Sequence, residues 1–166
     1  KGSKRIINCV LKDIYYLRDV IADDMEDVFK LSNERYVREY SINQEKIKWE
    51  EHVEWFNNIM NSKNDQFYVI TDPSGAFLGQ IRYKINENVA EVSISLGKQI
   101  LGKGLSQYFL ENSMLMLKRR KRDIIKIIAY ISTENIASLV IPIRIQNKIC
   151  NDTNSFIKDG ITIENC

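Results

Sequence analysis

The chain has 166 residues, of which 44% are hydrophobic and 28% are charged, and this composition suits one globular domain with a single core. Its formal net charge of +2 is too small to indicate nucleic-acid binding by itself. No apolar run approaches the roughly 18 residues of a membrane span. The three cysteines lack metal-ligand spacing, which predicts reduced thiols in a cytoplasmic protein without a metal site.

The first part of the sequence predicts a strand followed by two helices. Residues 14–18 are typical of a strand, and residues 22–34 of a helix in which Asp23 and Glu26 have the spacing of a capping box. Apolar residues at helical spacing within residues 42–60 predict a second helix. These residues are Trp49, Val53, Phe56 and Met60.

Three antiparallel strands, a glycine-containing loop, a helix and a last strand are predicted next. The three strands cover residues 66–70, 76–85 and 89–96, with turn residues at 72–75 and 86–88 between them. In the helix at residues 105–118, Leu105, Phe109 and Leu117 lie near one face. Residues 124–131 are typical of a buried strand.

The loop SLGKQILGKGLS, residues 95–106, matches two phosphate-binding patterns. From Gly97 it is Gly-x-x-x-x-Gly-Lys, the ATP-binding P-loop apart from its last residue, and from Gln99 it is Gln-x-x-Gly-x-Gly. A P-loop needs Ser or Thr after its Lys because that hydroxyl ligates magnesium, whereas Gly104 stands here. The loop therefore predicts pyrophosphate binding without nucleotide hydrolysis. A plain strand-to-helix connection is the alternative.

The stretch QILGKG, residues 99–104, resembles the acetyl-CoA motif of the GNAT N-acetyltransferases in both its letters and its place before a helix. The resemblance covers roughly residues 15–138 and includes Leu17, Arg18 and the TEN and AS residues of 133–138. It implies a single N-acetyltransferase domain over residues 1–166 with the GNAT fold, of α/β (α+β) class. That fold has a central mixed, mostly antiparallel sheet, which is flanked by helices and splayed between its fourth and fifth strands.

The resemblance also implies that acetyl-CoA binds between the fourth and fifth strands. Backbone amides of residues 101–106 would hold its pyrophosphate, and the edge of residues 94–96 would pair with its pantetheine amides. Asn135 and Ser138 would lie near the pantetheine or thiol end. The cofactor-binding residues are thus expected to be Ile94, Ser95, Leu96, Gln99, Leu101, Gly102, Lys103, Gly104, Leu105, Ser106, Asn135 and Ser138.

Residues 33–41, 51–56 and 79–83 together resemble the N-acetyltransferases that acetylate the 4-amino group of a UDP-linked deoxysugar in pseudaminic acid biosynthesis. This narrower resemblance implies a small-molecule amine as partner. From their residue types, arginines could pair with nucleotide phosphates and a tryptophan could lie against a base or sugar. Surface ion pairs, a core tryptophan and a structural or solvent-facing histidine are the alternatives. The candidate substrate residues are Arg38, His52, Trp55, Gln80 and Arg82.

Acetyl transfer to an amine requires a neutral nucleophile and a proton for the leaving thiolate. Glu91 on the fourth strand is the candidate base, with a solvent-facing strand residue as the alternative. The family often has a tyrosine acid four residues beyond the position of Ser138, but Pro142 stands there, so Tyr130 is the candidate substitute. Because no cysteine has a positioned histidine, we expect direct attack in a ternary complex without an acetyl-enzyme.

The sequence departs from the family pattern from about residue 139. Residues 138–148 are rich in β-branched residues and are interrupted by Pro142. Residues 156–161 resemble the family's closing signature but come later in the chain than in the family, and few residues then remain for a final strand. A CoA-binding module without catalysis therefore stays open as an alternative. An acetyltransferase of ribosomal proteins or peptide N-termini is a further alternative, because related enzymes of that kind share the general layout. A homodimer is also left open. The basic run at residues 118–122 is interpreted as a solvated helix end rather than a nucleic-acid site.

Overall fold

The computed structural model describes residues 15–131 and 161–165. In this part of the chain, six strands form one sheet. The strands are β1 Tyr16–Asp19, β2 Gln66–Thr71, β3 Phe77–Asn86, β4 Val89–Leu96, β5 Lys126–Ile131 and β6 Ile161–Asn165. They lie in the order β1-β2-β3-β4-β5-β6. The pairs from β1 to β4 are antiparallel, whereas β4 pairs with β5 and β5 with β6 in parallel. The predicted mixed, mostly antiparallel sheet is therefore confirmed.

Helices cover both faces of the sheet. The described helices are the short 3-10 helix Ala22–Asp24, α1 Met25–Ser32, α2 Arg35–Arg38, α3 Trp49–Asn61 and α4 Ser106–Arg120. Alternate strand residues point to opposite sides of the sheet, so each face has its own apolar side chains. On one face, Val28 of α1 and Phe56 of α3 share a small apolar cluster with Phe67 of β2. On the other face, Phe109 and Leu117 of α4 join the main core, as their predicted spacing indicates.

The sheet opens between β4 and β5. Their parallel ladder begins at Val89 and Lys126 and ends at Val92 and Ala129, although β4 continues to Leu96. Along residues 93–96, β4 keeps its antiparallel partner β3 on one side and has no strand partner among the described residues on the other. The predicted splay between the fourth and fifth strands is confirmed.

The predicted capping box of Asp23 and Glu26 is wrong. Helix α1 begins one turn later than expected, and its N-terminal region is held by Asp24 instead. The Asp24 carboxylate accepts two hydrogen bonds from the Arg18 guanidinium, each 2.7 Å, and a third of 2.8 Å from the Ile21 N–H. Glu26 forms an exposed ion pair with Lys30. The partly buried Arg18 of β1 thus determines which carboxylate closes this turn, and the capping-box spacing does not reveal that partner.

The second predicted helix begins at Trp49 rather than at residue 42. The side-chain amide of Asn33 donates to the Ile47 carbonyl at 3.1 Å and accepts from the Ile47 N–H at 2.8 Å, which holds the segment before α3 out of a helix. Within α3, Trp49 and Met60 are exposed, and the buried residues are His52 and Phe56. The apolar spacing thus predicted the helix correctly, but of its two buried residues it indicated only Phe56 and not His52.

The last part of the sequence and the basic run also differ from expectation. A sixth strand, β6, lies parallel to β5 where little chain seemed left for one. In the basic run, Arg120 forms an ion pair with Asp19 and also donates to the Gln66 side chain, while Lys121 donates to the Lys63 carbonyl. The interpretation as a solvated helix end is therefore wrong for Arg120, which attaches the end of α4 to β1 and β2. The Lys121 hydrogen bond is exposed and reaches the segment between α3 and β2.

Candidate active site

One cavity of about 1020 Å³ lies where β4 and β5 separate. It is lined by residues of α2, α3, β3, β4, the loop before α4 and the end of β5. All five candidate substrate residues line it, as do Glu91, Tyr130 and seven of the candidate cofactor residues. Those seven are Ile94, Ser95, Leu96, Leu101, Gly102, Gly104 and Ser106. The fold therefore brings most of the sequence-predicted residues to one space.

The glycine loop presents backbone N–H groups at one end of this cavity. Gly102 has a φ of 76° and Gly104 a φ of 71°, a left-handed backbone that glycine adopts without steric cost. The N–H groups of Gly102, Gly104, Leu105 and Ser106 have no acceptor among the described residues. Such N–H groups, at the positive end of the α4 dipole, suit an anion. The loop thus fits the pyrophosphate of acetyl-CoA.

Several candidate cofactor residues do not line the cavity. Gln99 and Lys103 are exposed, and Leu105 packs against the main core. Leu96 does line it, but its carbonyl already accepts a hydrogen bond of 2.8 Å from the Tyr36 hydroxyl. Asn135 and Ser138 lie outside the described residues, as does Pro142.

Side chains of alternate residues extend from the sheet into the cavity on the side of α3. Arg82 lies opposite Ser93, and Gln80 lies opposite Ser95, in the antiparallel register of β3 and β4. Glu91 lies two residues before Ser93 and therefore on the same face. The carboxylate is partly buried at the edge of this polar row. Tyr130 is 40% exposed and lines the cavity from β5.

Arg82 is a partly buried cation that forms no ion pair or side-chain hydrogen bond within the described part of the chain. Its guanidinium carbon lies 5.3 Å from the centre of a Trp55 ring, a cation–π distance. Burial lowers the pKa of Arg82, although the charges of Asp65 and Glu91 raise it. Arginine stays protonated at any physiological pH, so this end of the cavity carries a positive charge available to an anion.

Arg38 is a second such cation, at the end of α2. Its Nε is buried and has no hydrogen-bond partner within the described residues, and burial lowers its pKa. Gln80 also lines the cavity, and its side-chain amide nitrogen donates to the Ser32 hydroxyl at 3.2 Å. The amide oxygen of Gln80 is buried and has no hydrogen-bond partner among the described residues. These unmet donors and acceptors indicate a surface built for a polar ligand.

His52 is buried, with 1% of its surface exposed, which excludes the solvent-facing alternative. Its Nε2 lies 2.8 Å from the Met25 carbonyl oxygen, and because a carbonyl only accepts, Nε2 carries the proton. Burial lowers the pKa of His52 and so favours the neutral ring. Nδ1, buried and without a described partner, is then an acceptor. The ring packs among aromatic residues, namely Phe29, Trp49, Trp55 and Phe56.

Sequence reasoning missed Tyr36 and Ser93, which also line the cavity. Ser93 could have been found from the alternation of β4, since it lies two residues after Glu91. Tyr36 carries no local signal, because its hydrogen-bond partner lies 60 residues away. Only the fold brings the two together.

Comparison with known proteins gives the family. The model of the acetyltransferase (GNAT) domain matches residues 15–145. Among solved structures, the spermidine N-acetyltransferase of Vibrio cholerae, in complex with CoA and spermine, is 22% identical, with 76% of each chain covered and a TM-score of 0.67. A domain from Methanocaldococcus jannaschii is 21% identical, with 78% of this chain and 85% of that chain covered and a TM-score of 0.66.

A third structure, assigned as a phosphinothricin N-acetyltransferase, is 24% identical, with 76% of this chain and 79% of that chain covered and a TM-score of 0.67. None of these three is named as a nucleotide-sugar enzyme, so they lend the narrower resemblance no support. A search of curated protein sequences finds no match. None of the helices in the described residues has the length and apolar character to cross a membrane. The chain belongs to the GNAT acetyltransferase family, whose members are enzymes that transfer an acetyl group from acetyl-CoA.

Proposed function

We propose that the protein acetylates the primary amine of a small anionic acceptor, namely the 4-amino group of a UDP-linked deoxyamino sugar. The observation that carries this proposal is the composition of the cavity. The glycine-loop amides lie at one end, and two arginines without described ion-pair partners, Arg38 and Arg82, line the same space. One cavity thus offers sites for the anions of both substrates.

The residues of this chain fit acetyl-CoA at the loop end. When bound, acetyl-CoA supplies an activated acetyl thioester. The free N–H groups of Gly102, Gly104, Leu105 and Ser106 would hold the pyrophosphate. The edge of β4 beyond Val92, which lacks a described strand partner, would pair with the pantetheine amides. Asn135 and Ser138 remain proposed ligands of the thiol end.

Two residues are proposed for proton transfer. Glu91 takes a proton from the acceptor ammonium, directly or through water, so that the amine is neutral when it attacks. Tyr130, which lines the cavity from the neighbouring strand, donates a proton from its hydroxyl to the departing thiolate. All three cysteines lie outside the described residues, and direct transfer rests on the absence of a sequence signal for an activated nucleophile.

Two carboxylates, Glu51 and Glu91, line the cavity together with Arg38 and Arg82, so the preference for an anionic acceptor over a polyamine rests on the two arginines themselves. Charge-assisted hydrogen bonds from arginine to phosphate are roughly twice as strong as neutral ones, and arginine binds phosphate through two parallel bonds. A polycation would instead meet the like charges of two partly buried arginines, which disfavours its binding there. The Trp55 ring, stacked beside Arg82, offers a flat apolar surface for a base or sugar. An acceptor at a protein N-terminus would require an open groove rather than this cavity.

Measurement of CoA release from acetyl-CoA with three acceptors tests the proposal. The acceptors are a UDP-4-amino sugar, spermidine and a peptide with the N-terminus of a ribosomal protein. We expect turnover with the sugar nucleotide and little with spermidine. Exclusive turnover of the peptide or of spermidine would contradict the anionic acceptor. CoA binding without turnover of any amine would indicate the binding module instead.

A further inference from the structure

Helix α2 is attached to the end of β4 through the side chain of Tyr36. The Tyr36 hydroxyl donates to the Leu96 carbonyl at 2.8 Å. Lys98 adds two contacts on the same side, because its Nζ lies 2.8 Å from the Glu34 carboxylate and 5.6 Å from the centre of the Tyr36 ring. The ion pair is exposed and contributes little, so the hydroxyl bond is the principal link.

The peptide that Tyr36 holds is the base of the glycine loop. The N–H of Gly97 donates to the Leu78 carbonyl at 2.7 Å, and its carbonyl accepts from the N–H groups of Ile100 and Leu101 at 3.1 and 3.0 Å. A Cβ at Gly97 would lie 2.5 Å from the Gln99 side-chain oxygen and 2.9 Å from the Leu78 carbonyl oxygen. This junction is therefore closely packed, and a shift at one of its members is transmitted to the others.

The last residue of α2 belongs to the acceptor wall, the part of the cavity lining that includes Arg38, Trp55 and Arg82. Arg38, two residues after Tyr36, lines the cavity with its Nε buried and unpartnered in the described part of the chain. Burial and the charge of Glu34 raise the pKa of Tyr36, while Lys98 lowers it, so the phenol keeps its proton and remains a donor. Tyr36 thus connects the base of the glycine loop to the four-residue helix that carries Arg38.

We propose that Tyr36 is a positioning residue that couples the two ends of the cavity. Its hydroxyl fixes α2, and with it Arg38, at a constant distance from the glycine loop, so that cofactor binding at the loop stiffens the acceptor wall. The inference rests on the proposed function in that the glycine loop binds CoA and, for the kinetic test alone, in that Arg38 contacts the acceptor.

Hydrogen exchange of amides, with and without CoA, tests this coupling in the full chain. The variants are Tyr36→Phe and, as a matched control, Tyr16→Phe, which removes a phenol oxygen from β1. CoA should slow exchange in residues 101–108 of all three proteins. It should also slow exchange in residues 35–41 of the wild type and the control, by about 3- to 10-fold, but not in Tyr36→Phe.

Equal protection of residues 35–41 in Tyr36→Phe and in the wild type would overturn the proposal, and so would a lack of protection there in the wild type. A lack of protection at residues 101–108 in the wild type is a separate result, which would remove the cofactor assignment and the coupling together. In steady-state kinetics, Tyr36→Phe should raise the acceptor KM about 5-fold with kcat nearly unchanged. A lower kcat at unchanged KM would contradict a positioning role.

Discussion

The two ends of the cavity are built from different parts of the polypeptide. At the cofactor end, the groups available to a ligand are backbone N–H groups without an acceptor among the described residues, in a loop that contains two glycines with positive φ. At the acceptor end, they are side chains from three separate elements, among them Arg38, Trp55 and Arg82. The backbone end depends on a few consecutive residues, whereas the side-chain end depends on how distant segments pack. Substitutions should therefore affect the two ends in different ways.

The largest effect is expected at the backbone end, from Gly102→Val. A β-branched residue at a φ of 76° is strained, and its side chain would project into open space beside the loop amides. CoA affinity should fall about 100-fold, as measured by calorimetry. Gly75→Val is the matched control, because Gly75 also has a positive φ and open space but lies in the turn between β2 and β3. Unchanged CoA affinity in Gly102→Val would disprove the loop assignment.

Between the two ends lies Glu91, and Glu91→Gln should give the next largest effect. Loss of the proposed base should lower the transfer rate about 10- to 100-fold at low pH, where little free amine exists. The rate should partly recover as the pH approaches the pKa of the acceptor amine. Glu54→Gln, on the exposed side of α3, should leave the pH profile as it is. A loss that does not vary with pH would contradict the base assignment.

At the side-chain end, Arg82→Gln and Arg38→Gln should each weaken acceptor binding and leave CoA binding intact. Loss of a charge-assisted hydrogen bond predicts an increase in the acceptor KM of about 10-fold per arginine. Initial rates at fixed acetyl-CoA measure the acceptor KM, and calorimetry measures CoA affinity. Arg119→Gln is the matched control, because it changes the net charge by the same amount at an exposed position of α4 that does not line the cavity. If both variants weaken CoA binding as much as acceptor binding, the two ends are not separate.

The smallest effect concerns His52 and the pH dependence of stability. Its pKa in the folded protein lies below the ordinary value because burial disfavours the charged ring. Protonation therefore favours the unfolded chain, and stability should be lost as the pH falls below about 6.5 toward the folded pKa. Thermal unfolding at pH 7.5 and 5.5 should show a decrease in Tm that is smaller in His52→Gln, by about 2 to 4 °C. Equal decreases would show that His52 does not titrate on unfolding.

The difference between the two ends also explains what the sequence could predict. The strands and the glycine loop were predictable because alternation, turn residues and a motif before a helix are local properties. The start of α3 was not, because Asn33 holds Ile47 from a distant position. The capping box failed for the same reason, since Arg18 binds Asp24 across a turn. The burial of His52 and the hydrogen bond from Tyr36 to Leu96 likewise depend on tertiary packing. The candidate acceptor residues were predicted from a family resemblance and not from a local pattern.

Labelled acetyl transfer tests the central proposal most directly, namely that both substrates occupy one cavity and react without an acetyl-enzyme. The protein is mixed with acetyl-CoA that carries a labelled acetyl group, first alone and then with a UDP-4-amino sugar. Mass spectrometry of the intact protein and of the small-molecule products follows the label. We predict no acetylated protein without acceptor, and with it one labelled N-acetyl sugar nucleotide for each CoA released. A rapid burst of acetylated protein in the absence of acceptor, or CoA release without N-acetylated sugar, would contradict it.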